Sequence, residues 1–123
     1  MIIKILKIIS KILPLAWASI IFILCILPAN QTLSSGWSDK IEHFIAYFIL
    51  AFLFRFSWAE IKTIRVLLLT NLFGLIIEIT QSYIPSRVAE PNDLLANLIG
   101  SFAGTLLYTL IISYKKDKIT QNM

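Results

Sequence analysis

The chain has 123 residues, of which 58% are hydrophobic and 15% are charged, and its formal net charge is +4. A soluble domain is roughly 45–50% apolar and about 25% charged, so this composition is typical of a small integral membrane protein and argues against a soluble domain. The basic residues lie at the ends of apolar runs rather than in a stripe interleaved with aromatics, so we expect no nucleic-acid partner. Cys25 is the only cysteine, which excludes an intrachain disulfide and a cysteine-based metal cluster.

Four apolar segments follow one another along the chain, and each is close to the about 20 residues that a helix needs to cross a bilayer. They cover residues 9–27, 41–58, 66–84 and 94–114. Backbone groups in lipid must be hydrogen-bonded internally, which favours helices. A soluble bundle would need a polar outer face on each helix to meet water, and no such outer face remains in these segments. The sequence therefore predicts an all-α, single-domain, four-helix membrane bundle.

The first segment follows three lysines and could therefore be a cleavable signal peptide instead of a helix of the mature protein. A signal peptide ends in a small-x-small cleavage site, whereas this segment ends in the sequence LPANQ. The sequence favours an uncleaved first helix.

Most lysines and arginines fall on one side of the predicted bundle. The basic residues on this side are Lys4, Lys7, Lys11, Arg55, Lys62, Arg65, Lys115, Lys116 and Lys118. The opposite side carries only Lys40 and Arg87. By the positive-inside rule, both termini are predicted to be cytoplasmic. The aromatic residues near the predicted interfaces fit this orientation, with Trp37 and Tyr83 outside and Trp58 and Tyr114 inside.

Polar side chains are concentrated at the predicted outer ends of the second, third and fourth segments. Their spacing of three or four residues places them on one face of each helix. The three faces are Asp39, His43 and Tyr47; Asn71, Gly74, Glu78 and Gln81; and Asp93, Asn97, Gly100 and Gly104. Lys40 lies beside the first face, and Arg87 and Glu90 lie in the loop between the last two segments. We expect the three faces to meet inside the bundle rather than face lipid.

Glu78 is the most informative of these residues, because a charge inside a membrane helix costs at least about 3 kcal/mol on insertion scales. It must therefore be paired, protonated or exposed to a wet cavity. Lys40, His43 and Arg87 are its candidate partners, and a cavity open to the outside would accommodate all of them.

These residues also have structural interpretations. Asp39, with Glu42 three residues on, is typical of an N-cap and capping box, and Asp93 after the sequence EPN fits an N-cap as well. Polar residues farther into the segments, including His43, could be hydrogen-bonding links between helices. The sequence GSFAG, residues 100–104, is a small-xxx-small motif that favours close helix packing.

Two stretches, DKIEHFIAYFILAFLF and GLIIEITQSYIPSRVAEPNDLLANLIGSFAG, resemble the VanZ-like family of small bacterial membrane proteins. The shared pattern is D-K-x-x-H-F-x-x-Y, then E-x-x-Q, then an arginine, then D-x-x-x-N-x-x-G. The matching positions are Asp39, Lys40, His43, Tyr47, Glu78, Gln81, Arg87, Asp93, Asn97 and Gly100. The resemblance implies a multi-span protein of the bacterial inner or plasma membrane. The founding member of the family is associated with resistance to teicoplanin, a glycopeptide antibiotic.

The polar residues favour a binding site at the outer face for membrane lipids. The ligand would be an anionic envelope lipid or a lipid-linked cell-wall precursor. Lys40, Arg87 and protonated His43 would bind its phosphate or carboxylate groups. The remaining residues of the shared pattern, from Asp39 to Asn97, would complete the site.

An enzyme is the second class of function, with Glu78, His43 and Asp93 as candidate acid–base groups. The single histidine does not allow the two-histidine mechanism of lipid phosphate phosphatases, and no G-x-S-x-G motif indicates a serine nucleophile. One histidine with carboxylates is a weak zinc set, so no metal and no cofactor are expected. The other classes are a scaffold for an envelope enzyme and a transporter, which would need an oligomer because four spans are few.

Overall fold

The computed structural model describes residues 1–28 and 38–123, and these ranges are helical apart from short turns. The four helices are α1 (Ile2–Ile26), α2 (Asp39–Ser57), α3 (Thr63–Ser82) and α4 (Pro91–Gln121). The predicted all-α, four-helix fold is confirmed. Within residues 1–28 and 38–123, three helices, α1, α3 and α4, are long and apolar enough to cross a membrane, and α2, the predicted second span, is not one of them. Trp37 and most of the first predicted outer loop lie outside the described residues.

The helices extend beyond the predicted spans. α1 begins at Ile2 rather than near residue 9, and α4 ends at Gln121 rather than near residue 114. The apolar pattern marks the part of a helix that suits lipid, but lysine favours helix about as well as leucine does. The helical conformation therefore continues into the basic ends of both segments.

Both N-cap predictions are wrong. α2 begins at Asp39 itself, which places Ser38 at the N-cap. α4 begins at Pro91 with Glu90 at the N-cap, so Asp93 lies inside the first turn. Proline is favoured at the first helical position, because its fixed φ suits the helix and its missing N–H would have no partner there. Both aspartates still lie near a helix N-terminus, where the helix dipole favours negative charge.

α2 and α4 run parallel and form the most extensive helix pair of the bundle. Gly100 and Gly104 of α4 lie directly against the backbone of α2. A Cβ atom on either glycine would collide with the carbonyl oxygen of Phe44 or Phe48. The small-xxx-small motif therefore serves close helix packing, as predicted from the sequence.

The three polar faces turn into the bundle, as predicted. Their buried members are Tyr47, Gly74, Glu78, Gln81, Asp93, Asn97, Gly100 and Gly104. Large apolar side chains lie on the outside instead, including Leu68 of α3, which is 64% exposed, and Phe102 of α4. An apolar exterior around a polar interior suits a bundle that is surrounded by lipid.

α1 packs along one side of α2 and α3, and few of its side chains are buried. Ile21 joins the small apolar core with Tyr47, Leu50 and Ile77. The indole of Trp17 donates a hydrogen bond to the carbonyl oxygen of Ala46 at 2.9 Å. α1 therefore forms a thin wall against α2 and α3.

Candidate functional site

The functional residues predicted from the sequence gather at one end of the bundle, where α1 and α3 end and α2 and α4 begin. We call this region the polar end. Side-chain contacts there connect Lys40, His43, Glu78, Glu90, Asp93 and Asn97. Antiparallel neighbours bring the start of one helix beside the end of the next, and this geometry assembles the polar end from three helices and one loop.

Lys40 joins the start of α2 to the start of α4. Its ammonium donates hydrogen bonds to the carboxylates of Glu90 and Asp93. The hydrogen bond from Lys40 holds the pKa of the exposed Glu90 carboxyl below its ordinary value. Two carboxylates therefore already balance the charge of Lys40, which leaves it less available for an anionic ligand than the sequence suggested.

His43 has a defined orientation. Its Nδ1 lies 2.9 Å from Oδ1 of the buried Asn97, and an amide oxygen can only accept a hydrogen bond. Nδ1 is therefore the donor, and in the neutral ring Nε2 carries the free lone pair. Nε2 lies 3.4 Å from Oδ2 of Asp93, longer than an ordinary hydrogen bond.

Glu78 is 6% exposed and is not paired with any of the three predicted partners. Its Oε2 accepts a hydrogen bond from the backbone N–H of Glu90 at 3.1 Å. Its Oε1 is buried and has no hydrogen-bond partner within the described residues. Sequence reasoning missed the backbone amide because no side-chain pattern marks a loop N–H that faces a neighbouring helix.

Gln81 and Arg87 bind the C-terminus of α1. The Gln81 amide donates to the carbonyl of Cys25 at 3.0 Å. Arg87 donates from Nε to the carbonyl of Leu27 at 2.8 Å and from Nη2 to that of Leu24 at 2.9 Å. The last carbonyls of a helix lack partners within it and carry partial negative charge, so these donors cap α1 from outside. No signal in the sequence indicated this role.

Arg87 still has capacity for a further partner. A guanidinium has five N–H donors, and the capping contacts use two of them. Across residues 1–28 and 38–123, no carboxylate lies within ion-pair distance of Arg87. Its charge is therefore not matched by an acid of the described chain.

A cleft of about 480 Å³ opens between α1, α2 and the loop that precedes α4. One wall is apolar and comes from α1 through Trp17, Ile20, Ile21 and Leu24. The polar lining consists of Asp39, Glu42, His43, Tyr47, Gln81, Arg87, Glu90 and Asp93. The hydroxyl of Tyr47 is buried and has no partner among the described residues. The cleft therefore joins an apolar wall to a polar, charged end.

The three candidate catalytic residues lie together. His43, Glu78 and Asp93 each offer one nitrogen or oxygen atom, and these atoms lie within 4.8 Å of one another. Five residues of the predicted site form one contact network, namely Lys40, His43, Glu78, Asp93 and Asn97. Gln81 and Arg87 contact α1 instead. Asp39 lies at the exposed rim of the cleft.

An all-helical bundle with apolar sides and a polar, hydrogen-bonded end defines a small helical membrane protein. The model of the VanZ/LLP1 family matches residues 3–112, so the chain belongs to the VanZ/LLP1 family. This match confirms the resemblance seen in the sequence. Neither the curated proteins nor the solved structures contain a significant match to the chain.

Proposed function

We propose that this VanZ/LLP1 protein binds an anionic amphiphile of the bacterial envelope in the cleft. The ligand would be a membrane lipid or a lipid-linked cell-wall precursor. The observation that carries the proposal is the composition of the cleft, in which the apolar wall of α1 continues into the polar end. Such a site suits a molecule with a hydrocarbon chain and a charged head group.

The head group would lie beside Arg87. The three guanidinium donors of Arg87 that have no partner among the described residues can bind phosphate or carboxylate oxygens, for which the planar guanidinium is well suited. His43 would add a second cation when protonated. Lys40 would contribute less, because Glu90 and Asp93 already bind it. The hydrocarbon chain would lie along Ile20 and Leu24 of α1.

The proposed orientation places the polar end at the outer face of the bacterial inner or plasma membrane, with both termini in the cytoplasm. The distribution of lysine and arginine supports this orientation. A lipid of the outer leaflet, or a precursor carried to that leaflet, would then reach the cleft directly.

Native mass spectrometry of the protein purified with its own lipids tests the proposal. Ile20→Trp would fill the cleft, because Ile20 lines it and is 47% exposed, so the larger ring disturbs no core contact. Ile12→Trp is the matched control, since Ile12 lies on the same helix, is 55% exposed and does not line the cleft. We expect a discrete bound lipid on the wild type and on the control, and its loss from Ile20→Trp. Equal lipid binding by all three proteins would refute the proposal.

A structural scaffold is the second candidate, and the capping of α1 favours it. Gln81 and Arg87 donate hydrogen bonds to carbonyl oxygens at the end of α1. If this is their whole role, Arg87→Ala lowers stability and cellular function in proportion. Ile20→Trp then changes neither, which separates the two candidates. A role in teicoplanin resistance, or in chemistry on a lipid-linked substrate, is a finer proposal that requires the cleft to bind its ligand first.

A further inference from the structure

We propose that His43, Glu78 and Asp93 bind a divalent metal ion of the zinc type at the polar end. This site goes beyond the binding of an amphiphile and does not depend on it. No metal was expected from the sequence, because one histidine with carboxylates is a weak zinc set, and the three residues lie on three different helices. Only the folded bundle brings them together.

The three side chains converge on one place in the polar end. One ligand atom from each residue lies within 4.8 Å of the others. His43 Nε2 and Asp93 Oδ2 are 3.4 Å apart, which is long for a hydrogen bond. Two ligands that each lie about 2.0–2.1 Å from a tetrahedral zinc ion are about 3.3–3.4 Å apart. The separation of these two atoms is therefore compatible with two neighbouring ligands of one metal ion.

A second set of contacts orients each of the three ligands. Asn97 accepts the Nδ1 proton of His43, which leaves Nε2 free to bind a metal. Lys40 holds one oxygen of Asp93, and the backbone N–H of Glu90 holds Oε2 of Glu78. Metal-binding histidines and carboxylates typically have such partners for the atoms that do not face the ion.

The unpaired oxygen of Glu78 is an independent indication of a ligand. Glu78 is more than nine-tenths buried, and its Oε1 has no hydrogen-bond partner in the described part of the chain. A buried carboxylate oxygen without a partner is costly, and native proteins rarely leave one. Because Glu78 is one of the three clustered residues, a cation bound between them would satisfy this oxygen.

The charges around the cleft also favour a cation. Among the described residues, four acidic side chains line it, and the basic residues beside them are Arg87 and Lys40, which pairs with Glu90 and Asp93. A divalent ion would offset part of this negative charge, including where an anionic head group binds. One imidazole nitrogen and two carboxylate oxygens suit zinc, whereas magnesium prefers an octahedron of oxygens. His43 and Asp93 line the cleft, which supplies an entry path and an open coordination position.

The test is titration of Zn²⁺ into metal-free protein in detergent, followed by isothermal calorimetry and by metal analysis of the purified protein. The variants are Glu78→Gln and His43→Gln. Asp39→Asn is the matched control, because it removes one carboxylate from the same cleft outside the three clustered residues. Circular dichroism establishes that each variant is folded. A second measurement uses only the wild type: Co²⁺ is added in place of Zn²⁺. The visible spectrum of bound Co²⁺ reports coordination by a histidine and oxygens.

We expect about one Zn²⁺ per chain, with binding at least tenfold weaker in Glu78→Gln and His43→Gln and unchanged in Asp39→Asn, since even outer partners of metal ligands are worth about 10–100-fold in affinity. Mg²⁺ should not compete. The proposal is wrong if the wild type binds no Zn²⁺ and gives no Co²⁺ spectrum. It is equally wrong if folded Glu78→Gln binds Zn²⁺ as tightly as the control. A wild type that binds lipid but no Zn²⁺ would refute the metal site and leave the amphiphile site standing.

Discussion

At the scale of single residues, several charged or ionisable side chains at the polar end are hydrogen-bonded to neutral groups rather than to opposite charges. Asn97 accepts a hydrogen bond from His43, and the backbone amide of Glu90 donates one to Glu78. Carbonyl oxygens at the end of α1 accept hydrogen bonds from Arg87. Neutral backbone and amide groups therefore satisfy several polar side chains for which ion pairs would be expected. Among the described residues, this arrangement leaves Arg87 without a carboxylate partner and one oxygen of Glu78 without a hydrogen bond.

The contact between Lys40 and Glu90 predicts a pH dependence of stability. The hydrogen bond from Lys40 lowers the pKa of Glu90 from its ordinary value of about 4.5. A carboxyl whose pKa is lower in the folded state stabilises the fold above its ordinary pKa, and loses this effect as the pH falls through the folded value. We expect the wild type to unfold at a higher temperature than Glu90→Gln at pH 6.

The difference between the two proteins should shrink as the pH falls below about 4.5, the ordinary pKa of Glu90. Thermal unfolding in detergent, followed by circular dichroism between pH 3 and pH 7, measures it. The effect should be small because Glu90 is exposed, and salt should reduce it. A difference that is constant across the pH range would show that the ion pair does not contribute.

At the scale of helices, α2 and α4 form the most closely packed pair of the bundle, and α1 packs more loosely against α2 and α3. The glycines of α4 allow its backbone to lie directly on that of α2, so the relative position of His43 and Asn97 is fixed by backbone contact. α1 contributes the apolar wall of the cleft but little buried surface. The site residues of α2 and α4 should therefore keep their geometry even when α1 shifts.

Gly100→Ala tests the backbone contact. Alanine favours a helix over glycine by about 1 kcal/mol, so any loss of stability must come from the collision of its methyl group with Phe44. Overpacking of this kind costs about 1–3 kcal/mol. Ile99→Ala is the control, because Ile99 is the preceding residue of α4 and half-exposed.

Chemical unfolding in mixed micelles gives the comparison. Gly100→Ala should be less stable than the wild type, whereas Ile99→Ala should change stability little. A Gly100→Ala protein as stable as the wild type would mean that α2 and α4 can separate at no cost, and the close contact would not be what fixes the site.

At the scale of the whole molecule, the sequence predicted the helix count, the inward polar faces and the family, but not the contacts. Composition and periodicity report which residues avoid lipid, so burial of Glu78 and Asn97 could be foreseen. They carry no information on which group meets which across helices. The capping of α1 by Arg87 and the amide of Glu90 at Glu78 depend on that arrangement, and both were missed.

The proposed orientation makes a prediction for the whole chain. A green fluorescent protein fused after Met123 should be fluorescent, because the C-terminus is predicted to be cytoplasmic. Alkaline phosphatase inserted after Val88 should be active, because it folds only outside the cytoplasm. The reverse fusions, phosphatase at the C-terminus and fluorescent protein after Val88, are the controls and should both be silent. The opposite pattern would place the cleft on the cytoplasmic side and exclude ligands of the outer leaflet.

The way α1 is held has a consequence for how members of this family can diverge. Ser57, Gln81 and Arg87 all donate to carbonyl oxygens of α1, and a carbonyl is present whatever side chain its residue carries. Substitutions of the cleft-facing Ile20 and Leu24 would thus leave these carbonyl contacts untouched while they reshape the wall. Trp17 and Ile21 also face the cleft but hold α1 through their own side chains. On the proposed function, one unchanged frame would in this way accept hydrocarbon chains of different length and branching. Selectivity for the hydrocarbon chain would then change through substitutions in α1 alone, while the polar end stays the same.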